Sequence, residues 1–532
     1  MSIQATSSSR SSSPDSSDGA CFTSSSECSR SAERDRCNEA KASFVAATKG
    51  RSKLGGSTAR VPPPRVARSV KDGAREGSVP ATSGLFDYVQ WLFNYKIDAN
   101  ALKSMSRVEF RVADLSAGMG PSLFASQAIR YASRLCGQGL SINVVLVSEV
   151  HTPTRALYRG IVEKSGTLMP IVLSDDASLG GAEILDEKGD VVNLLGLHIL
   201  SQGIVCKDIS AQTSTPRSLM DKKGKSVISV MNLLSALRRM KFEDRPIVLI
   251  LECTSRLDSF RKVDNYMEKG TKQLTALLEE EGYEGQFHTC NALHYYLPQD
   301  RLRVYGLFFR RTKFGDAGRA HAKALQIRAM ALAKKFQVEA GHEPLESLVS
   351  RITSWTEVKK RKAKVSRISE QRHDAYIAEH RLEDFYKSGV GKDDFVAKTN
   401  GLLHAREQDA LWVVICKQCM GQSIDWRKEF YLASAHNSVS WMTIGSYYAP
   451  TVTTKSKFAV LRYGEVLVGD GALALSLQGY QSKELKLAST DLTSQPISRV
   501  LAGNAFAANV YVAHFIAALL VLAEELRPEP AA

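Results

Sequence analysis

From about residue 84 to residue 311, short apolar runs alternate with segments long enough for a helix. This rhythm limits the possible folds more than any other feature of the 532-residue chain. "VEFRVADLSAGMG", "INVVLVSEV", "VVNLLGLHILSQG", "RPIVLILECTS" and "RLRVYGLFFRR" each contain an apolar run of strand length. Strands that are apolar on both sides belong to sheets covered on both faces. Between them, "SLFASQAIRYASRLCGQG" and "SVMNLLSALRRMKF" space their apolar residues at helical intervals, and the first ends on glycine. Strand and helix in alternation predict an α/β fold, a Rossmann-like, doubly wound parallel sheet with helices on both faces.

The flanking segments read differently. Residues 1–80 are rich in Ser, Arg and Gly and include "VPPPR"; so little apolar surface cannot offset the entropy of ordering, so a disordered tail is expected. Residues 312–445 carry the Ala- and Lys-rich "GRAHAKALQIRAMALAKKFQVEA" and the basic run "VKKRKAKVSR", predicting a mostly helical basic insertion, after which 446–528 return to the first domain, 84–311. "AFAANVYVAHFIAALLVLA" (505–523) approaches the length of a membrane span. It holds Asn509 and His514 and follows "GN", so it reads as a buried helix packed on the sheet, and no membrane partner is expected.

A net charge of +14 favours an anionic partner, nucleic acid before a membrane surface. Nine cysteines in so long a chain make no disulfide framework and suggest a reducing compartment; the serine-rich start has no apolar core segment, so no secretory signal is expected. "CKQC" (Cys416, Cys419) has no second pair beside it, so both read as structural cysteines and no metal is expected.

In "DLSAGMGP" a strand ends in Asp114, and Gly118 and Gly120 precede a helix, allowing a ligand close to the backbone. The next strand ends at Glu149, where a carboxylate can accept both hydroxyls of a ribose. A third acid, Asp175, ends the following apolar run. Three such acids after a glycine turn favour an adenosine cofactor, and the lack of GxxxxGK[ST] argues against ATP. In "SQGIVCKDIS", Cys206 follows an apolar run on a turn, where it is either a small buried side chain or a nucleophile.

Taken in order, these blocks resemble the motifs of the cytosine-C5 DNA methyltransferase family. "DLSAGMGP" is similar to that family's glycine turn for S-adenosylmethionine, and "SEV" with Tyr158 to its acidic second-strand motif. "GIVCKDIS" stands where the family has its catalytic cysteine loop, with Gly203, Cys206, Asp208 and Ser210 in register. "LILECTSRL" keeps Glu252, and "LPQDRLRVYGLFF" carries Gln299, Arg301 and Arg303 in the family's PQxRxR pattern. "APTVTT", "SLQGY" and "RVLAGNAF" resemble its C-terminal blocks, the last with Gly503 and Asn504.

The resemblance implies a methyltransferase sheet that binds S-adenosylmethionine through Asp114, Ser116, Gly118, Gly120, Glu149, Asp175, Gly503 and Asn504. It implies Cys206 as nucleophile on cytosine C6, Glu252 at the N3/N4 edge of the base, and Arg301 or Arg303 orienting base and loop. It also implies a target-recognition region in the insertion, DNA as the partner and the nucleus as the site of action. Ser116, Val205, Lys207 and Cys253 depart from the family pattern. They leave open a homologue that binds cofactor or nucleic acid without turnover. An RNA-methylating relative is a further alternative, although that branch has a compact recognition region. A dinucleotide-binding oxidoreductase would leave the order of Cys206, Glu252 and "PQDRLR" unexplained.

Overall fold

The computed structural model describes residues 79–527 except 116–117, 166–169, 174–185, 187–190, 193–195, 205–224, 264–265, 314, 352–373, 376, 380–391, 401, 422–425, 436–441, 454–455, 470 and 482–494. All but the end of the expected N-terminal tail lies outside the described residues, as do Ser116, Asp175, Cys206 and the basic run 358–367.

Among the described residues seven strands form the main sheet: β1 (Glu109–Leu115), β2 (Ser141–Ser148), β3 (Ile171–Leu173), β4 (Ile199–Gly203), β5 (Val248–Thr254), β6 (Tyr283–Asn291) and β7 (Leu302–Arg310). Their spatial order is 3-2-1-4-5-7-6. Every pairing from β3 to β5 is parallel, whereas β7 runs antiparallel to both β5 and β6. The expected parallel sheet is therefore mixed at one edge. The cause is local: residues 292–301, which join β6 to β7, are too few for the crossover a parallel pair needs.

The principal helices are α1 (Leu85–Tyr95), α2 (Pro121–Leu135), α3 (Thr152–Ser165), α4 (Lys225–Arg239), α5 (Gly270–Glu280), α6 (Asp316–Lys335), α7 (Ala405–Gly421), α8 (Gln495–Asn504) and α9 (Ala508–Glu525). Side chains alternate across each strand, so the sheet has two cores. Phe110, Val112, Ile199, Val248, Ile250, Leu307 and Phe309 face α1, α2, α6 and α9. Ala113, Leu115, Leu200, Leu249, Leu251, Val304 and Phe308 face α4 and α5. The apolar stretch expected to be a core helix is α9, buried continuously from Ala508 to Ala523. Two of its polar residues bond to carbonyls inside the protein. Asn509 Nδ2 donates to the carbonyls of Ser83 (3.1 Å) and Tyr295 (2.9 Å), and His514 Nδ1 donates to that of Val510 (2.7 Å).

The region expected as a mostly helical insertion contains a sheet. Helix α6 packs on α9 and on the main sheet, so it belongs to the first domain's core. Strands β8 (Phe430–Ser434), β9 (Ile444–Gly445), β10 (Phe458–Arg462) and β11 (Glu465–Gly469) form an antiparallel sheet in the order 9-8-10-11, running past residue 445. Leu411, Trp412 and Ile415 of α7 share its core with Tyr431, Leu461 and Val466. The β10–β11 hairpin turns on Tyr463 and Gly464, both at positive φ (48° and 83°), as a two-residue hairpin turn requires. The tyrosine hides a turn that Asn-Gly would have announced.

Candidate active site

The topology places the site. From β1 the chain winds outward through β2 and β3, then returns to the other side of β1 as β4. In such sheets ligands bind beyond the carboxyl ends of the strands at this reversal. Here Leu115 lies opposite Gln202, Gly203 opposite Glu252, and Thr254 opposite Arg303. The glycine turn, the segment leading to Cys206 and the Glu252 segment thus leave from three adjacent strand ends.

On the first side, Gly118 has φ 56° and Gly120 φ 75°. A Cβ on Gly118 would lie 2.3 Å from the Asn504 carbonyl oxygen, so the end of α8 is pressed against the turn. Gly503 is half-buried beside it and Asn504 is exposed. Glu149 is buried; its Oε2 accepts the Gly118 N–H and its Oε1 the His151 N–H, both at 2.9 Å. Arg155 holds the Glu149 carbonyl at 2.7 Å. A carboxylate has about four acceptor positions, so one group can serve backbone N–H donors and a ligand hydroxyl together. The bare backbone and the braced carboxylate fit an adenosine-type cofactor.

Asp114 points elsewhere. It is 1% exposed, and it accepts the Ser122 backbone N–H at 2.9 Å and the Ser122 hydroxyl, capping the first turn of α2. The Ser122 hydroxyl also meets that of Tyr511 on α9, which bonds Ser201 Oγ at 2.6 Å. Burial pushes the Asp114 carboxyl up to about 7, against the opposing pull of its two Ser122 bonds. Asp114 therefore positions the glycine turn from beneath. Its pKa is higher folded than unfolded, so its contribution to stability falls as pH rises from about 4 to about 7. Urea unfolding across that range should show Asp114→Asn losing this decline, on the order of 4 kcal/mol from a shift of about three units. An unchanged pH profile would mean the carboxyl titrates normally.

On the second side, Glu252 is almost enclosed, with its Oε1 3.2 Å from Arg303 Nε. Burial raises its pKa, and Arg303 and then Arg301 draw it back. The Glu252 carbonyl accepts the N–H of Ile204 at 2.8 Å, so the strand leading to Cys206 ends beside Glu252. Cys206 itself, with Val205 and Lys207, lies outside the described residues. Cys253 is buried in the apolar core on the far face of β5. Its departure from the family pattern therefore changes core packing and leaves the Glu252 face alone.

The two arginines have separate tasks. Arg301 is 3% exposed and donates from Nη1 to the Val452 carbonyl (2.9 Å) and from Nη2 to that of Ala505 (3.0 Å). It ties the "APTVTT" segment and the residues after Asn504 to the sheet, while Arg303 pairs with the carboxylate. Arg301→Met would strand both carbonyls and should cost about 3 kcal/mol or more in urea unfolding; under 1 kcal/mol would exclude the bracing role. Gln299 is fully buried and bridges to Ala449. Gln478 Nε2 donates to the Ala502 carbonyl at 3.3 Å, packing "SLQGY" behind α8.

Sequence reasoning missed Ser122, Ser201 and Tyr511, which complete the Asp114 network, and Tyr305, which faces Glu252 across the strand pair. Tyr305 could have been found, since it lies two residues past Arg303 on the same strand face.

A doubly wound sheet of order 3-2-1-4-5-7-6, with a glycine-and-acid cradle at its reversal and a largely enclosed Glu–Arg pair alongside, is a Rossmann-like α/β fold. Residues 176–409 match the family model described as C-5 cytosine-specific DNA methylase. No curated protein matches the chain. Among solved structures, the Dnmt2 methyltransferase of S. pombe is similar at 11% identity over 78% of this chain and 98% of its own, with a TM-score of 0.42. A putative DNA modification methyltransferase encoded within an E. coli prophage is similar at 14% identity over 78% of this chain and 100% of its own, with a TM-score of 0.41.

Proposed function

We propose that this protein methylates C5 of cytosine in DNA, using S-adenosylmethionine and a transient covalent bond from Cys206 to C6 of a base turned out of the duplex. The observation that carries this reading is the largely enclosed Glu252, paired with Arg303 and joined through its backbone to Ile204, two residues before Cys206. Gly118, Glu149 and the Asn504 backbone would hold the cofactor. When bound, it supplies an electrophilic methyl group on a sulfonium.

The protein's own groups do the rest. Cytosine C5 is a poor nucleophile until the Cys206 thiolate adds to C6 and directs electrons toward C5. Glu252 hydrogen-bonds the N3/N4 edge and offsets the charge that develops during attack. Arg303 keeps that carboxyl in place. Loss of the C5 proton and cleavage of the C6–S bond then release the base. Turning the base out costs a few kcal/mol, and the net charge of +14 favours the phosphate contacts that repay it. Nuclear residence belongs to this proposal, since it is where a DNA substrate would be met.

A covalent trap tests it. The protein, S-adenosylmethionine and DNA containing 5-fluorocytosine should give a denaturation-resistant adduct that disappears in Cys206→Ala. Binding of the cofactor without an adduct in any DNA context would make the chain a non-catalytic homologue. An adduct with RNA alone would transfer the reaction to RNA.

A further inference from the structure

A second group of reactive side chains lies away from the cofactor cradle. His288 and Cys290, two apart on β6, share the face covered by α9, and His514 of α9 meets them there. Their ligand atoms all lie within 4.8 Å of one another. The two Nε2 atoms are 2.7 Å apart, and Cys290 Sγ is 3.9 Å from that of His514. The geometry points to a buried metal site in which His288, Cys290 and His514 bind one thiophilic d10 cation, zinc(II) or copper(I).

Three observations support the site. The His514 Nδ1–H is committed to the Val510 carbonyl at 2.7 Å, so its Nε2 lone pair faces the other two residues. Metal-ligating histidines are held in this way, with the second nitrogen donating to a backbone carbonyl. Burial, with His514 as a further cause, lowers His288 to about 3, and burial lowers His514 to about 4, so both rings are neutral and able to ligate at ordinary pH. The donor set of two imidazoles and a thiol selects soft ions over magnesium or calcium.

Coordination requires a modest adjustment. With metal–nitrogen bonds of about 2.0 Å and a metal–sulfur bond of about 2.3 Å, the nitrogens would stand about 3.3 Å apart and sulfur about 3.6 Å from each. The two rings must separate by about 0.6 Å while the thiol closes on both of them. Burial pushes the Cys290 thiol up to about 12, so binding must displace its proton to solvent as the metal–sulfur bond forms, and the proton His288 shares from Nε2 must shift to its Nδ1. Among the described residues no fourth His, Cys, Asp or Glu joins the group. Three ligands complete a trigonal copper(I) site and leave zinc one open position.

The site would also bear on the candidate active site. His288, Tyr305 and Glu252 lie opposite one another on β6, β7 and β5, and the Tyr305 ring stacks on His514 at 4.9 Å and 10°. An ion here would pin the terminal helix to the row of residues that ends at Glu252.

The test is elemental analysis of the full chain, followed by cobalt(II) titration of the metal-stripped protein. The expected result is about one zinc or copper per chain, a thiolate-to-cobalt charge-transfer band, and at least a tenfold loss of both in Cys290→Ser and His514→Gln. Stripping should lower the Tm of the wild type alone. If the variants fail to fold, X-ray absorption at the bound ion decides, requiring one sulfur and two imidazoles. A wild-type chain that takes up neither zinc, copper(I) nor cobalt(II) would overturn the site and leave a neutral His–His hydrogen bond. Metal retained in a folded Cys290→Ser or His514→Gln would overturn it too.

Discussion

Glu252→Gln is expected to lower kcat for DNA methylation by about 10²- to 10³-fold, the loss typical when one stabilising contact to a developing charge is removed. KM should change little, because the contact strengthens only as the base is attacked. The amide keeps the shape of the side chain but cannot carry the negative charge that pairs with Arg303 at 3.2 Å. Nor can it supply a proton to the ring. Arg303 supplies the complementary experiment. Since it draws the Glu252 pKa down against burial, Arg303→Met should push that pKa higher, and the Glu252 ionisation in the pH–rate profile should move upward with it. Circular dichroism would show whether each variant is folded. A folded Glu252→Gln within tenfold of wild type would remove Glu252 from the reacting edge.

Gly118→Val should abolish cofactor binding. At φ 56° a β-branched residue is strained by about 1–3 kcal/mol. The new side chain would also collide with backbone, since even its first atom would sit 2.3 Å from the Asn504 carbonyl oxygen. The turn must then move, and with it the N–H that braces Glu149. Isothermal titration with S-adenosylmethionine should show affinity reduced at least a hundredfold. Gly137→Val is the control: it has φ 70° but nothing within 4 Å of its Cβ, so it carries the strain without the collision. Equal cofactor affinity in the two variants would mean that the Gly118–Asn504 contact plays no part in binding.

The legible parts of this fold are those in which sequence neighbours determine structure. β1, β2, β5 and β7 announce themselves as apolar runs because both sides of each strand are covered. β6 does not, because it is an edge strand and "YEGQFHTCN" alternates without a continuous apolar run. The second sheet was hidden by short strands and by a tyrosine in the turn. At the candidate site, the Gly118 and Glu149 segments could be read from strand ends alone. The division of labour between Arg301 and Arg303 could not, because it depends on carbonyls at residues 452 and 505. For the same reason His288, Cys290 and His514 escaped a search for closely spaced ligands.

The pressing of α8 against the glycine turn has a consequence for how the protein is made. The first motif of the cofactor cradle leaves the ribosome long before Asn504 and α9 exist. Until they arrive, Gly118 has no wall opposite it, Arg301 lacks one of its two carbonyl partners, and one face of the sheet is without its central cover. Contacts between such distant parts of a chain form late and slowly. The nascent domain must therefore wait, largely assembled but with apolar surface open, for its last helix to close the core and complete the cradle in the same step.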